Sequence, residues 1–145
     1  MSQYDDETAI ERLSDQRFRG RVSSAWNIGD NPNGGYLASL ITQALSQTIA
    51  HPDPISVTTH YLRPGVADAE CEIDLDVIRA GRTLSTVRAT LSQEGKERLT
   101  LLAAYADLAS SAGIDSDITL TAPRLPIPDD CVQRSAESQG VHLPI

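Results

Sequence analysis

The 145-residue chain has few aromatic and few basic side chains, and both shortages narrow its possible functions. It contains one Phe, one Trp and four Tyr, so aliphatic residues must form most of any core. Its 12 Lys and Arg stand against 20 Asp and Glu, which gives a formal net charge of −8. A negative protein repels phosphate unless its basic residues are clustered. We therefore expect neither nucleic acid nor an anionic membrane surface as the main partner.

Cysteines and long apolar runs are also scarce. Cys71 and Cys131 lie far apart and form no CxxC motif. The first seven residues include three acidic residues and no basic one, whereas a secretory signal begins with basic residues followed by an apolar run. The richest apolar stretch, residues 99–108, is much shorter than the roughly 18 apolar residues of a membrane span and contains polar side chains. These absences predict a soluble, cytoplasmic protein without a membrane partner.

Composition and patterning divide the chain into three parts. An apolar content of 40% suits one compact domain with a substantial core. Residues 1–16 are polar and acid-rich and are predicted to form an N-terminal arm or a short helix. Residues 17–108 carry the patterns of a folded domain, and residues 109–145 are predicted to form a proline-containing linker or tail.

The clearest helix follows a cluster of turn residues at 29–35. From Tyr36 to Ile49, apolar residues recur every three to four positions, which is the period of one buried helix face. The helix is predicted to end before His51, because the prolines at 52 and 54 exclude a continuing helix.

Period-two patterns on both sides of this helix predict strands. The first is predicted at 17–28, with Trp26 as a core anchor. Four strands are predicted after the helix, at 55–63, 69–79, 83–93 and 97–108. Glycine-containing hairpin turns join the last three. Segment 99–105, within the last of these strands, also has the composition of a helix. The order β-α-β-β-β-β predicts an α+β fold in which an antiparallel sheet wraps around one long central helix.

Three segments, taken in order, resemble a known family. They are Asn33-Gly-Gly-Tyr-Leu-Ala, the stretch from His51 to Pro64, and the stretch from Arg79 to Gln93. Together they are similar to the first hotdog half of the thioesterase-like superfamily related to acyl-CoA thioesterase II, over about residues 26–130. The resemblance implies the hotdog fold and hydrolysis of acyl-CoA thioesters. We expect no metal and no other cofactor.

The same resemblance implies a double-hotdog protein of nearly twice this length. In that family the catalytic Asp, Thr and Gln lie in the second hotdog, which this sequence does not contain. Two expectations stay open: either the chain is a fragment, or two copies pair and rebuild the continuous sheet. Because an isolated hotdog exposes a sheet edge, we expect a homodimer or a higher assembly.

The segment Asn33-Gly34-Gly35 at the predicted helix start is the first candidate for catalysis. A helix N-terminus offers free N–H groups and the positive end of the helix dipole, which suit the oxyanion of thioester hydrolysis. Glycines would let a substrate carbonyl approach that backbone closely. The alternative is that the three residues form only a turn and a helix cap.

The group that would activate water is harder to identify, because no Asp or Glu occurs between Asp30 and Asp53. Thr42 and Gln43 on the helix could orient water but could not act as bases at neutral pH. His60 could act as a general base. All three also suit ordinary structural positions. Of the other histidines, His51 marks the helix end and His142 lies in the tail.

Substrate contacts are predicted for Tyr36, next to the glycines, and for three arginines. Arg63, Arg79 and Arg82 could form a basic patch at the sheet rim for the phosphates of coenzyme A, although surface arginines on hairpins are common. Arg88 is predicted to pair with the acidic residues of the neighbouring strand instead.

Two functions remain open at this point. The first is an acyl-CoA thioesterase that acts as an assembly of two or more hotdogs. The alternative is a catalytically silent hotdog that binds acyl-CoA or mediates assembly, which the missing carboxylate favours. Hydration of enoyl-CoA on the same fold would require an Asp followed five residues later by His, and no Asp of this chain has His at that spacing.

Overall fold

The structure is a computed structural model, and it describes residues 2–110 and 121–132. The helices are α1 (Gln3–Glu7) and α2 (Gly34–Ser46), with single 3-10 turns at Ser24–Trp26 and Pro128–Asp130. The strands are β1 (Ile10–Arg12), β2 (Arg17–Arg21), β3 (Asn27–Ile28), β4 (Asn31–Pro32), β5 (Asp53–Tyr61), β6 (Glu70–Ala80), β7 (Ser85–Gln93) and β8 (Lys96–Ala106).

Six strands form one sheet in the order β1-β2-β6-β7-β8-β5, and β3 and β4 form a separate short ribbon. Every pairing in both sheets is antiparallel. The predicted meander of three consecutive strands is confirmed as β6, β7 and β8. Segment 99–105, which also had a helical composition, lies within β8. The β7–β8 turn has positive φ at Glu94 and Gly95, 54° and 68°, as a two-residue type I′ hairpin requires.

Helix α2 packs its apolar side on the inner face of this sheet, and the predicted α+β arrangement is confirmed. The helix buries six residues, Tyr36, Leu37, Leu40, Ile41, Ala44 and Leu45. Alternate residues of three strands meet them and are buried as well: Cys71, Ile73, Leu75, Val87, Ala89, Leu91, Leu99, Leu101 and Ala103. Burial of these aliphatic side chains supplies the main stabilisation, with about 1.5–3 kcal/mol for each large one.

The N-terminal third differs from the prediction in detail. The strand expected at 17–28 ends at Arg21, because the Ser23 hydroxyl accepts a hydrogen bond from the Ala25 amide (3.2 Å) and a 3-10 turn follows. Trp26 lies in that turn and packs against the core from its side, stacked on Tyr36 with ring centroids 5.7 Å apart. Residues 1–16 contain the expected short helix, but β1 also adds an edge strand to the sheet.

Strand β5 forms the other edge of the sheet and is exposed along most of its length. Its residues alternate as predicted, yet neither of its faces is buried: Ile55, Val57 and Tyr61 are 49%, 44% and 54% exposed. The next residue, Leu62, is also exposed. The inner side of this edge is therefore apolar and uncovered in the described chain.

Part of the predicted tail, residues 109–145, lies outside the described residues, and this part includes His142. The portion at 121–132 contains one 3-10 turn and exposed side chains. Within the described residues, no helix has the length and apolar character needed to cross a bilayer.

Candidate functional site

A groove of about 420 Å³ opens at the N-terminus of α2. Pro32, Gly34 and Leu37 line it on the helix side, and residues 61–65, where β5 runs into its following loop, line it on the other. We call this the Gly34 groove. Most of its wall is apolar, and among the described residues no Asp or Glu lines it.

The amides at the start of α2 are not equally available. The Asn33 side-chain oxygen accepts hydrogen bonds from the amides of Gly35 (2.7 Å) and Tyr36 (3.4 Å), and the Asn33 carbonyl accepts from the amide of Leu37 (3.1 Å). Asn33 therefore caps the helix, which agrees with the alternative that residues 33–35 form a turn and a helix cap. In the described part of the chain, the amide of Gly34 has no acceptor. Of the two glycine amides predicted to bind the oxyanion, the Gly35 amide is already bonded to Asn33, so Gly34 is the one candidate among the described residues.

At two points the groove walls approach each other so closely that a β-carbon on a glycine would force a neighbouring side chain to shift. A β-carbon on Gly34 would lie 2.9 Å from Cε1 and Cζ of the Tyr61 ring. A β-carbon on Gly65 would lie 3.0 Å from Cδ1 of Leu37. The loop after β5 therefore packs directly on the helix start. Tyr61 and Gly65 were not among the predicted site residues, although both lie in the segment 51–64 or next to it.

Tyr36 lies in the core and not in the groove. Its hydroxyl accepts a hydrogen bond from the Ser23 amide (2.9 Å) and donates to the Glu7 carbonyl (2.8 Å). Burial raises the pKa of this phenol above its ordinary value, so the hydroxyl stays protonated and keeps donating. The predicted substrate contact of Tyr36 is replaced by a structural role: it ties α1 and β2 to the helix.

Thr42 and Gln43 lie on the helix at a distance from Gly34. Eight residues of helix place Thr42 about 12 Å along the axis from Gly34. The Thr42 hydroxyl donates to the Ser39 carbonyl (2.9 Å), and the Gln43 amide nitrogen lies 3.5 Å from the hydroxyl of Thr8. Within one chain, neither side chain reaches the Gly34 groove.

His60 points away from the groove. Successive strand residues face opposite sides of a sheet. Since the ring of Tyr61 lies on Gly34, on the inner side, His60 lies on the outer face, where it pairs with Thr100 of β8. One chain alone does not bring His60 to the Gly34 amide.

His51 follows the helix, as predicted, and its ring is held by two contacts. Its Nε2 lies 3.2 Å from the Arg82 carbonyl oxygen and its Nδ1 lies 2.9 Å from the Ser85 hydroxyl. Because a carbonyl only accepts, Nε2 carries the proton and Nδ1 accepts from Ser85. His51 therefore fixes the end of the helix region to the β6–β7 hairpin, at the end of the sheet opposite the Gly34 groove.

The predicted patch of three arginines is not formed. Arg63 lines the Gly34 groove, beside the end of β5 that pairs with Leu99. Arg79 and Arg82 lie at the β6–β7 hairpin, level with Tyr105 of β8. Six residues of strand, or about 20 Å, separate the two places. Among the described residues, Arg63 is therefore the one arginine that lines the Gly34 groove.

The expectation for Arg88 can also be compared with the structure. Arg88 pairs with Asp76 across β6 and β7, with Nη2 and Oδ2 2.5 Å apart, so its predicted cross-strand pairing is confirmed. No cluster of three or more His, Cys, Asp or Glu suitable for a metal ion occurs within residues 2–110 and 121–132.

Comparisons with known proteins identify the family of the chain. Residues 22–109 match the family model described as the acyl-CoA thioesterase N-terminal domain. The thioesterase-like protein TwmA of Talaromyces wortmannii is 27% identical over 94 residues, which are 63% of this chain and 27% of TwmA.

Solved structures show the same fold. A thioesterase II candidate from Thermobifida fusca is 30% identical with a TM-score of 0.74, and the match covers 88% of this chain and 46% of that one. A hotdog protein from Alicyclobacillus acidocaldarius has a TM-score of 0.80 at 23% identity, over 99% of this chain and 52% of that one. The hotdog fold is confirmed, and the chain spans about half of these two proteins. Because the family model matches residues 22–109, which is more than half of the chain, the chain belongs to the acyl-CoA thioesterase N-terminal domain family.

Proposed function

We propose that this chain is an acyl-CoA thioesterase that acts as an assembly of at least two hotdogs, with the thioester carbonyl bound at the Gly34 amide. The observation that carries the proposal is that Gly34, at the positive end of α2, lines a largely apolar groove and that its N–H has no acceptor among the described residues. The family to which the chain belongs supports the substrate class.

The reaction is the addition of water to the thioester carbonyl carbon. The carbonyl oxygen becomes an oxyanion, and the Gly34 N–H donates a hydrogen bond to it. The carbon–sulfur bond then breaks, the thiol of coenzyme A leaves with a proton, and a carboxylic acid remains. Leu37 and Leu62 line the groove for the first carbons of the acyl chain, and the Arg63 guanidinium at its side attracts the phosphates.

The base that takes the proton from water must come from outside this groove. No carboxylate of the described residues lines the groove, and Thr42, Gln43 and His60 lie elsewhere on the same chain. We therefore assign water activation to a second hotdog, either another copy of this chain or a further part of a longer one. A catalytic role stays a prediction for three residues, which would have to act across such an interface: Thr42, Gln43 and His60.

Strand β5 is the edge where we place the second hotdog. Its backbone is unpaired on one side within the described chain, and its inner side chains Ile55, Val57 and Tyr61 are about half exposed. Unpaired edges with apolar side chains favour strand addition. Because Tyr61 also touches Gly34, a hotdog joined at β5 would lie next to the groove.

The second candidate function is a catalytically silent module that binds acyl-CoA or assembles with a catalytic hotdog. The observation that favours it is the same absence of a carboxylate from the groove wall in the described residues. Such a module would bind acyl-CoA at the groove and release no thiol.

The deciding experiment compares Gly34→Pro with Gly34→Ala in assays of thiol release from short and long acyl-CoAs. Proline suits the first position of a helix and removes the N–H, and Asn33 already has the extended backbone that a following proline needs (φ −58°, ψ 134°). Alanine places a β-carbon against Tyr61 in the same way but keeps the N–H.

If the amide binds the oxyanion, we expect Gly34→Pro to lower kcat about 10²–10³-fold below Gly34→Ala. Equal kcat in the two variants, in an active wild type, would remove Gly34 from the mechanism. Binding of acyl-CoA by the wild type without release of thiol, in the complete protein, would favour the silent module.

A further inference from the structure

Two buried polar side chains at the β7–β8 hairpin hold the loop that forms one wall of the Gly34 groove. This loop, residues 62–69, joins β5 to β6, and its first four residues line the groove. Gln93 is 2% exposed and makes a two-point contact with one loop residue. Its Oε1 accepts from the amide of Val66 (2.8 Å), and its Nε2 donates to the carbonyl of Val66 (2.9 Å).

Arg98 holds the same loop at its beginning. Its side chain is 9% exposed, and Nη1 donates to the carbonyl of Pro64 (3.1 Å). Its backbone carbonyl accepts from the amides of Leu62 (2.8 Å) and Arg63 (3.1 Å). The charge of Arg98 is paired with Glu94, whose carboxylate lies 2.8 Å from Nη2.

The two side chains that hold the loop are both polar and buried. Burying an amide or a guanidinium is unfavourable unless its hydrogen bonds are made, so such groups specify one geometry where they occur. Here both groups bond to the backbone of one loop, at residues 64 and 66, while Nε of Arg98 has no partner among the described residues. Between them lies Gly65, whose Cα packs against Leu37 of the helix.

The loop in turn places Arg63. Its amide is bonded to the Arg98 carbonyl, and its Nη1 donates to the carbonyl of Glu97 (2.9 Å). Backbone and side chain are thus both anchored on β8. Among the described residues no acceptor bonds the other guanidinium N–H groups of Arg63, so they can bind a ligand at the groove.

We propose that Gln93 and Arg98 are positioning residues for substrate binding: they hold the 62–69 loop against the start of α2 and so fix the groove wall and Arg63. The inference rests on the proposed function for its substrate, acyl-CoA. Neither side chain lines the groove, so both act through the loop. They are expected to affect KM more than kcat, because they position the binding wall and not the Gly34 amide.

The experiment uses Gln93→Leu and Arg98→Met in the complete protein. Arg98→Lys keeps a donor for the Pro64 carbonyl, so it should restore part of the function that Arg98→Met loses. Lys96→Ala is the matched control, because Lys96 is exposed at the same hairpin and its side chain makes no hydrogen bond to the loop among the described residues. Amide hydrogen exchange is measured at Val66 and in the helix α2, together with kcat and KM for acyl-CoA.

We expect Gln93→Leu to speed exchange at Val66 about tenfold or more while α2 stays protected. Both disruptive variants should raise KM about tenfold, with kcat changed much less, and Lys96→Ala should match the wild type. Unchanged exchange at Val66, or an unchanged KM in both variants of an active protein, overturns the inference. A wild type that turns over no acyl-CoA overturns the proposed function instead, and the exchange measurement still decides whether the two residues hold the loop.

Discussion

The aromatic ring of Tyr61 lies directly on the backbone of Gly34, where a β-carbon would come within 2.9 Å of it. This contact joins the last residue of β5 to the first residue of α2. It places a rigid apolar group beside the one amide of the helix start that has no acceptor in the described chain. Water exclusion beside an oxyanion donor strengthens the hydrogen bond that the donor makes.

Removal of this ring should therefore weaken catalysis. We expect Tyr61→Ala to lower kcat/KM about tenfold, because the Gly34 amide becomes open to water. Tyr61→Phe keeps the ring and should retain most activity. The measurement is kcat/KM with one acyl-CoA, with thermal unfolding as the control for folding. Equal activity of the Ala and Phe variants would show that the ring does not shield the site.

Assembly through β5 predicts a change of mass on substitution. We expect light scattering of the complete protein to give at least twice the mass of one hotdog. If the two hotdogs are separate chains, Val57→Lys should yield single chains. A charge at a buried interface without a partner costs several kcal/mol, which explains the expected dissociation.

Ile78→Lys is the matched control, because Ile78 is 54% exposed on β6, away from the β5 edge. It should leave the mass unchanged. A wild type that is already a single hotdog at micromolar concentration would exclude assembly by β5. Dissociation by Ile78→Lys but not by Val57→Lys would place the interface elsewhere.

The buried thiol of Cys71 predicts how stability depends on alkaline pH. Burial raises the pKa of Cys71 from 9.0 to about 11. A raised pKa means that the folded state keeps a proton that the unfolded state has lost, so this contribution is complete below pH 9 and is lost as the pH rises from 9 to 11. The loss reaches about 2–3 kcal/mol near pH 11. The raised pKa values of Tyr36 and Tyr105 act in the same direction.

Cys71→Ala should reduce this decline, and urea unfolding at pH 8, 9, 10 and 11 measures it. In the same protein, Cys131 is exposed and should react with a thiol reagent at pH 8, whereas native Cys71 should not. An identical pH dependence in wild type and Cys71→Ala would contradict the assignment to this thiol.

The parts of the fold that the sequence predicts well are those with a regular local period. Helix α2 and the meander of β6, β7 and β8 have such a period over nine or more residues, and their predicted positions agree with the structure within a few residues. Strand β1 has three residues and no measurable period, so its pairing with β2 was not expected. The even spacing of Phe18, Val22 and Trp26 predicts one strand, but Trp26 lies in a 3-10 turn that follows the strand.

The site was harder to predict because it depends on register and on faces. Alternation shows that His60 and Tyr61 face opposite sides, but only the packing of β5 shows that Tyr61 is the inner one. The arginines at 63, 79 and 82 are separated by the strand lengths, which the sequence fixes only approximately. Gln93 and Arg98 are polar residues next to a turn, where a solvent-exposed position is the usual expectation.

Strand β5 begins with Asp53 and Pro54, and its pairing with β8 shifts between Pro54 and Ser56. Proline has no N–H to offer to a neighbouring strand, so a strand added at this edge can form regular bonds only from about residue 55 onward. The usable edge is then residues 55–61. If two identical copies pair along the whole of this segment, the symmetry axis crosses its middle, near Thr58, and the same threonine from each copy would stand face to face.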